Sequence, residues 1–523
     1  MKMKKRFFAS FIAVILLLGV CGCTNGGTVS EYTEYQSTIN NTTSGNDGDN
    51  NNSSTGNASA NSSGGSTGNA SATNSGSGSN NGGQGTTVAS KPSQGSTSAT
   101  NNSGKTVELA NPVYVAEGST PMDTNLNFGG KTFSMATRND TIYTTGRFKR
   151  LVAAFEKKYN CKINVKSLDF NNYATLISNA KNTGNPYDII FCHGSRFPEI
   201  PLSGVVTDLS SYLTTADYDT GNGGIDIAKS SYFVMDKNLY GVVGGEDAVY
   251  PYVIFYNKLL FQKYGLEDPY ELYKSGKWTW TKFREMGQKV AGTGTAFGDM
   301  SFSHPGFVHS LGVPLMTWKN NQVVINLNDA NVVKGFQLMY DLFNTSKVLS
   351  NDHKNYTEYQ TFANGRSFCF TQESQKYQIV CEYAAGSPAF NKNASNVGIV
   401  PFPQDSASSK RGYSCGWYTA VMAGSGCSDP RVAVAFAKFW STYQDPVKDK
   451  YELSDEYKAL VKKLISGNIA NFHGGYTGSD GSKSFVYFTW PLCQDISLGS
   501  DVTSTINSTL PQIQACVDYT MKK

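Results

Sequence analysis

Downstream of Lys131 the chain alternates between two hydrophobic periods. Lys131 to Ala136 reads as a strand, Phe148, Leu151, Val152, Phe155 and Tyr159 recur at the spacing of one helix face, and Ile163 and Val165 alternate with polar neighbours. A second helix carries Tyr173, Leu176, Ile177 and Ala180. The Gly184-Asn185-Pro186 turn stops it, and Tyr187-Asp188-Ile189-Ile190-Phe191 comes next as a buried strand. This β-α-β-α-β order predicts an α/β fold with a parallel sheet and helices on both faces. Ligands in that architecture collect beyond the carboxyl ends of strands, where the Arg138-Asn139-Asp140 and Cys192-His193-Gly194-Ser195-Arg196 loops fall. Further on, Phe283, Met286 and Val290 mark a helix that Trp278 and Trp280 are expected to staple at its start. Trp417 to Ala423 reads as another strand.

The N-terminal region has neither period. Lys2, Lys4, Lys5 and Arg6 precede an apolar run from Phe7 to Val20, about fourteen residues, too short for the roughly 20 that a spanning helix needs. With Val20-Cys21-Gly22-Cys23 behind it, residues 1–22 read as a lipoprotein signal peptide. Cys23 is the expected lipidation site, because Gly22 before it is small whereas Cys21 follows the bulkier Val20. Two or three acyl chains on one cysteine would give stable anchoring without a membrane span. From Thr24 to Thr106 apolar side chains are nearly absent, so the segment buries too little to offset chain entropy. Residues 23–127 are therefore expected as a lipidated, disordered Asn/Ser/Gly/Thr tether before a folded body at 128–523. Roughly eighty such residues reach on the order of 50 Å. That clears headgroups and much of a cell wall, which fits the outer face of the cytoplasmic membrane in a Gram-positive bacterium.

Net charge is +4, with no Lys/Arg cluster outside the signal, so nucleic acid is not an expected partner. After Cys21 and Cys23, eight cysteines remain: Cys161, Cys192, Cys369, Cys381, Cys415, Cys427, Cys493 and Cys516. An exported chain permits disulfides, but no C-x-x-C pair suggests zinc, and apolar neighbours such as those in Phe368-Cys369-Phe370 favour small buried residues. No H-E-x-x-H occurs, and Gly292-Thr293-Gly294 follows a helix rather than a strand, so no metal or other cofactor is expected. Gly412-Tyr413-Ser414-Cys415-Gly416 fits the G-x-S-x-G pattern of a serine hydrolase, with Asp445 or Asp455 and His473 available in order. A nucleophile elbow needs an apolar strand before its serine and a helix after it. Here Asp405 to Arg411 is polar, and Trp417 to Ala423 has strand character instead of helical spacing.

Several short motifs recur in a fixed order: Tyr187-Asp188-Ile189-Ile190-Phe191 with Arg196-Phe197, Tyr256-Asn257-Lys258-Leu259-Leu260-Phe261 with Gly265-Leu266, and Trp278-Thr279-Trp280. Phe362-Ala363-Asn364-Gly365-Arg366 and Gly416-Trp417 before Ala433, Phe436 and Phe439 complete the set. In this order and spacing the body resembles the family 1 extracellular solute-binding proteins of ABC importers, the maltose-binding type. The resemblance implies a periplasmic-binding-protein-like fold, with two α/β lobes joined by a hinge and a ligand cleft between them. Lobe one would hold about 131–248 and 416–441, and lobe two about 249–411 and 450–523. It implies a monomeric receptor, not an enzyme, that closes on a carbohydrate (an oligosaccharide) and delivers it unchanged to the transmembrane subunits of an ABC permease. A surface-displayed carbohydrate binder without a permease would share every one of these features.

A sugar offers an apolar C–H face and a rim of hydroxyls, which aromatic rings, carboxylates, amides and planar guanidinium groups match. By the resemblance, Trp417 follows the glycine where family members present a stacking ring, and Trp490 lies in the C-terminal segment that carries another; each is otherwise core packing. Arg196 matches a ligand-contacting arginine, although the ring expected four residues earlier is Cys192. Asn139 and Asp140 occupy the first strand's loop, as polar ligands or as a turn. His193 is either a hydroxyl donor or a structural residue. Glu246, Asp247, Tyr250 and Tyr252 lie at the first crossing between lobes, and Gln372 and Glu373 follow a buried strand of lobe two and are placed to face the cleft.

Overall fold

The computed structural model describes residues 96–100, 106–113, 125–213, 217, 224–244, 248–299, 304–350, 358–405, 414–466, 469–471, 475–476 and 488–522. All belong to one compact unit, Lys91–Lys523. The signal, Cys23, the tract up to residue 95, Glu246, Asp247, Gly412, Tyr413 and His473 lie outside the described residues.

Eight strands frame the body: β1 (Lys131–Arg138), β2 (Cys161–Leu168), β3 (Ile189–His193), β4 (Val249–Asn257), β5 (Ala296–Asp299), β6 (Ser367–Glu373), β7 (Val397–Val400) and β8 (Ser414–Ala423). The helices that bear on the site and its surroundings are α1 (Gly146–Tyr159), α2 (Tyr173–Asn182), α3 (Trp280–Lys289) and α4 (Arg431–Thr442). In lobe one, β1 pairs in parallel with β2, from Lys131 opposite Cys161 to Arg138 opposite Leu168, and with β3 on its other side. In lobe two, β6 lies between β5, parallel to it, and β4, antiparallel to it, while β7 flanks β4.

The two lobes share one sheet through β4 and β8. The start of β8 pairs with the start of β4, Gly416 opposite Pro251 and Trp417 opposite Tyr250; the end of β8 pairs with β3, Thr419 opposite His193. Each long strand thus belongs to lobe one at one end and lobe two at the other. Because both crossings run antiparallel to a neighbour, the sheet is mixed rather than wholly parallel as the periodicity suggested.

The helices form where the apolar spacing placed them. α1 buries Phe148, Leu151, Val152, Phe155 and Tyr159, starts on the Thr145 side chain and ends at Asn160, which takes φ 48°. In β2 the alternation fails after Ile163, leaving Val165 39% exposed, because β2 is the edge strand of its sheet. All nine residues of β4 are buried. Ile254 and Tyr256 enter one core of lobe two, whereas Val253 and Phe255 enter the other, as the two-residue period of a strand covered on both faces requires. Trp278 and Trp280 pack edge-on against Phe283 at 5.9 and 5.4 Å, which is the expected staple of α3.

The body begins earlier than residue 128. Ser96–Thr100 and Thr106–Val113 pair as antiparallel strands, and Leu109, Ala110, Asn111 and Val113 are buried. Leu109 and Val113 supply buried apolar surface at strand spacing.

Candidate functional site

The carboxyl ends of β1, β3 and β6 meet the starts of β4 and β8, so side chains from both lobes converge where the chain crosses. Asp140, just past β1, is buried. It accepts from the Arg138 guanidinium, from the Ile142 amide at 3.2 Å and from Lys376 Nζ at 3.2 Å. Lys376 stands on the turn after β6, so this ion pair joins lobe two to lobe one. Burial opposes the Asp140 charge, but Lys376 and Arg138 outweigh it and hold the carboxyl well below the usual range. Burial likewise opposes the charge of Arg138, and Asp140 keeps it protonated.

Glu373, the last residue of β6, is buried and accepts from Gln375 Nε2 at 2.8 Å. Burial pushes its pKa up, against Lys376 and Arg138. Gln372 beside it accepts from the Glu373 amide at 2.9 Å.

The aromatic part of the site centres on His193 and Trp417, neighbours across the β3–β8 pairing. Their rings lie 4.7 Å apart at 38°, and Trp417 Nε1 donates to the Tyr252 hydroxyl at 3.3 Å. His193 Nδ1 accepts the Ser195 amide at 3.3 Å and lies 2.7 Å from Ser195 Oγ, which places the proton of the neutral ring on Nε2. Burial, with Arg138 and Arg196 adding to it, drives its pKa well below 6.5. Nε2 is buried and has no hydrogen-bond partner among the described residues.

Phe170 ties these groups together. The Arg196 guanidinium carbon lies 4.5 Å from its ring centroid and that of Arg138 5.7 Å, while His193 meets it edge-on at 5.6 Å. Arg196 also donates to the Phe170 carbonyl and lies 3.7 Å from Glu199. Tyr143, Tyr250 and Thr419 bring their hydroxyls close together, where the buried Tyr143 and Tyr250 phenols both have raised pKa values, burial first among the causes.

Six residues singled out in the sequence therefore converge: Asp140, His193, Arg196, Tyr250, Glu373 and Trp417. Asn139 has a local task at the rim, its Oδ1 accepting the Phe170 amide at 3.0 Å. Trp490 opens the lobe-two helix Trp490–Ser497 and is 5% exposed. Glu246 falls outside the described residues. Phe170, Lys376 and Tyr143 were not anticipated. Lys376 alone had a readable signal, as a cation three residues beyond a buried-strand carboxylate.

The rings lie beside planar cations and carboxylates whose opposite charges pair with one another. Among the described residues no cluster of acids, histidines and cysteines is arranged to hold a metal. Among the described residues, Ser414 opens strand β8 and is followed by strand rather than helix, and Asp445 is held by Arg150 through bonds of 2.8 and 2.6 Å. Cys161, Cys192, Cys369, Cys381, Cys427 and Cys493 form no disulfide, and Cys369 donates to the Phe297 carbonyl at 3.1 Å. No described helix is long and apolar enough to cross a membrane.

Residues 142–445 match the family model described as bacterial extracellular solute-binding protein. Among solved structures, the galacto-N-biose/lacto-N-biose I-binding protein of a Bifidobacterium longum ABC transporter, in complex with lacto-N-biose, is similar with a TM-score of 0.56 and 15% identity. That match covers 74% of this chain and 99% of the other. The GacH receptor of Streptomyces glaucescens, solved unliganded and with acarbose, has a TM-score of 0.54 at 15% identity, covering 73% and 98%. The ABC substrate-binding protein Lmo0181 from Listeria monocytogenes, in complex with cycloalternan, has a TM-score of 0.52 at 15% identity, again covering 73% and 98%. At such identities the likeness establishes the fold, a two-lobed periplasmic-binding-protein-like α/β structure.

Proposed function

The chain belongs to the bacterial extracellular solute-binding protein family, and we propose that it is the receptor of an ABC importer, closing its lobes on an oligosaccharide. The carbohydrate is released chemically unchanged to the transmembrane permease subunits. The observation that carries this reading is the meeting of Trp417, His193 and Phe170 with Arg138, Arg196, Asp140 and Glu373 where β4 and β8 cross. Rings there would face sugar C–H surfaces, while the guanidinium and carboxylate groups would exchange their mutual pairing for sugar hydroxyls. The binding of lacto-N-biose, acarbose and cycloalternan by proteins of this fold supports a glycan over a peptide or an ion. Ligand contacts are assigned to Trp417, Arg196, Asp140, His193, Glu373 and Tyr250, with Trp490 and Asn139 at the periphery, and Glu246 is proposed as a further contact from its place in the sequence.

The monomeric receptor acts at the outer face of the cytoplasmic membrane, held by lipid on Cys23 through the polar tether. Metabolic labelling with a fatty-acid analogue tests the anchor. Wild type takes label and sediments with membranes, Cys23→Ser does neither, and an unlabelled wild type rules the anchor out. A glycan array probed with the mature chain tests the ligand class: retention of one oligosaccharide series supports it, and silence across the array with turnover of ester substrates favours a hydrolase. Co-purification of the ligand-loaded chain with a two-subunit permease separates a transport receptor from a surface-displayed binder.

A further inference from the structure

Away from the crossing strands the two lobes touch a second time. Between the lobe-two helices His304–His309 and Ala330–Tyr340 the chain projects as an antiparallel hairpin, Met316–Lys319 with Gln322–Ile325. Asn320 and Asn321 turn it at φ 53° and 57°, the left-handed pair that a two-residue hairpin turn demands and asparagine tolerates. Its base belongs to lobe two, where Leu315 and Met316 join the core with Leu327. Its tip does not. Trp318 is 1% exposed within the core of lobe one, its ring 6.0 Å from Phe197 and its Nε1 donating to the Val234 carbonyl at 2.7 Å.

The strand Thr106–Val113 closes the seam. Asn320 N donates to the Ala110 carbonyl at 3.0 Å and Asn321 N to Asn111 Oδ1 at 2.7 Å, both from the lobe-two hairpin. Asn111 Nδ2 donates to the Ser231 carbonyl and Ala110 N to Ser231 Oγ, each at 2.9 Å, both to lobe one. Asp236 N of lobe one reaches Asn321 Oδ1 at 3.2 Å. Asn111 is fully buried, and one side-chain amide thereby grips both lobes.

We propose that the surface of lobe one around residues 231–236 is a docking site for two segments of this chain, the Trp318 hairpin and the 106–113 strand, which together latch the lobes closed without ligand. Opening about β4 and β8 requires withdrawing the Trp318 indole from lobe one and breaking the Asn111 bonds. The strand that completes the latch pairs in turn with Ser96–Thr100, the first described stretch of the chain. A latched, ligand-free protein already populates the binding geometry, and loosening the latch lowers apparent affinity by the fraction of closed molecules lost.

Spin labels on non-natural residues at Lys162 in lobe one and Lys334 in lobe two, whose side chains are 71% and 57% exposed, report the interlobe distance in the ligand-free mature chain. Wild type should give one narrow, short distribution, and both Asn111→Ala and Trp318→Ala should shift it to longer distances with the circular dichroism spectrum retained. Unchanged distributions in both variants would overturn the latch. Lengthening in Trp318→Ala alone would overturn the part assigned to the 106–113 strand. If either alanine variant fails to fold, Asn111→Ser and Trp318→Phe, which keep most of the contact and remove or weaken the hydrogen bonds, decide by the same shift.

Discussion

Replacing Lys376 with Met removes the cation that lobe two offers Asp140, while Asp140 keeps Arg138. At 3.2 Å two unit charges attract by about 5 kcal/mol for an effective dielectric of about 20. Desolvation of both ions takes back several kcal/mol, so a net contribution of about 1–3 kcal/mol remains. Asp140→Asn is the harsher change, because it leaves Arg138 and Lys376 facing each other in a buried setting, and it should cost about 3–5 kcal/mol. A double-mutant cycle on urea unfolding of the mature chain isolates the interlobe pair. We predict a coupling energy of about 1–3 kcal/mol, with the double variant less unstable than the sum of the single ones. A coupling below about 0.5 kcal/mol, the scatter of independent sites, would refute the claim that this pair fastens the lobes.

His193 is held neutral by burial with its pKa below 6.5, so its stabilisation is complete above pH 6.5 and is lost as pH falls toward the folded value. Stability should drop by up to about 1.4 kcal/mol per pH unit in that window, and His193→Gln should flatten the slope; an identical slope in the variant contradicts the assignment. Trp417→Ala should cost about 3–5 kcal/mol of stability because the indole is buried. Trp417→Phe keeps a ring against His193, loses the bond to Tyr252, worth about 0.5–1.5 kcal/mol, and should weaken glycan binding in calorimetry with the fold intact. Gly475 has no room for a side chain: an added Cβ would lie 2.6 Å from the Arg196 carbonyl carbon and 2.9 Å from Phe197 N. Gly475→Ala should lower the melting temperature and glycan affinity together, whereas an unchanged affinity would separate this contact from the site.

The parts of the fold governed by local periodicity were readable in the sequence. Five apolar residues at helical spacing became the buried face of α1, and Ile189 to Phe191 became an interior strand. What escaped depends on distant partners. Lys376 matters because the topology brings β6 to the end of β1, 236 positions away in sequence, a meeting that its one local signal, Glu373 three residues earlier, does not specify. Phe170 lies in a polar stretch and gains its role from Arg196, Arg138 and His193 arriving around it. The strand Thr106–Val113 was overlooked because it adjoins a tract too polar to fold, and its alternation is short and interrupted by Asn111 and Pro112. The loops after β1 and β3 were legible as site elements because in an open α/β sheet ligand chemistry gathers at strand ends. Trp417 was singled out through resemblance alone, since its strand reads equally well as core.

Capture of a carbohydrate between the lobes without chemical change is tested most directly by isothermal titration of the mature chain with the best-retained glycan of the array, the glycan being recovered afterwards. Saturable one-to-one binding and recovery of an intact sugar are the predicted results. Absence of heat with every retained glycan, or recovery of a cleaved product, would contradict capture without reaction.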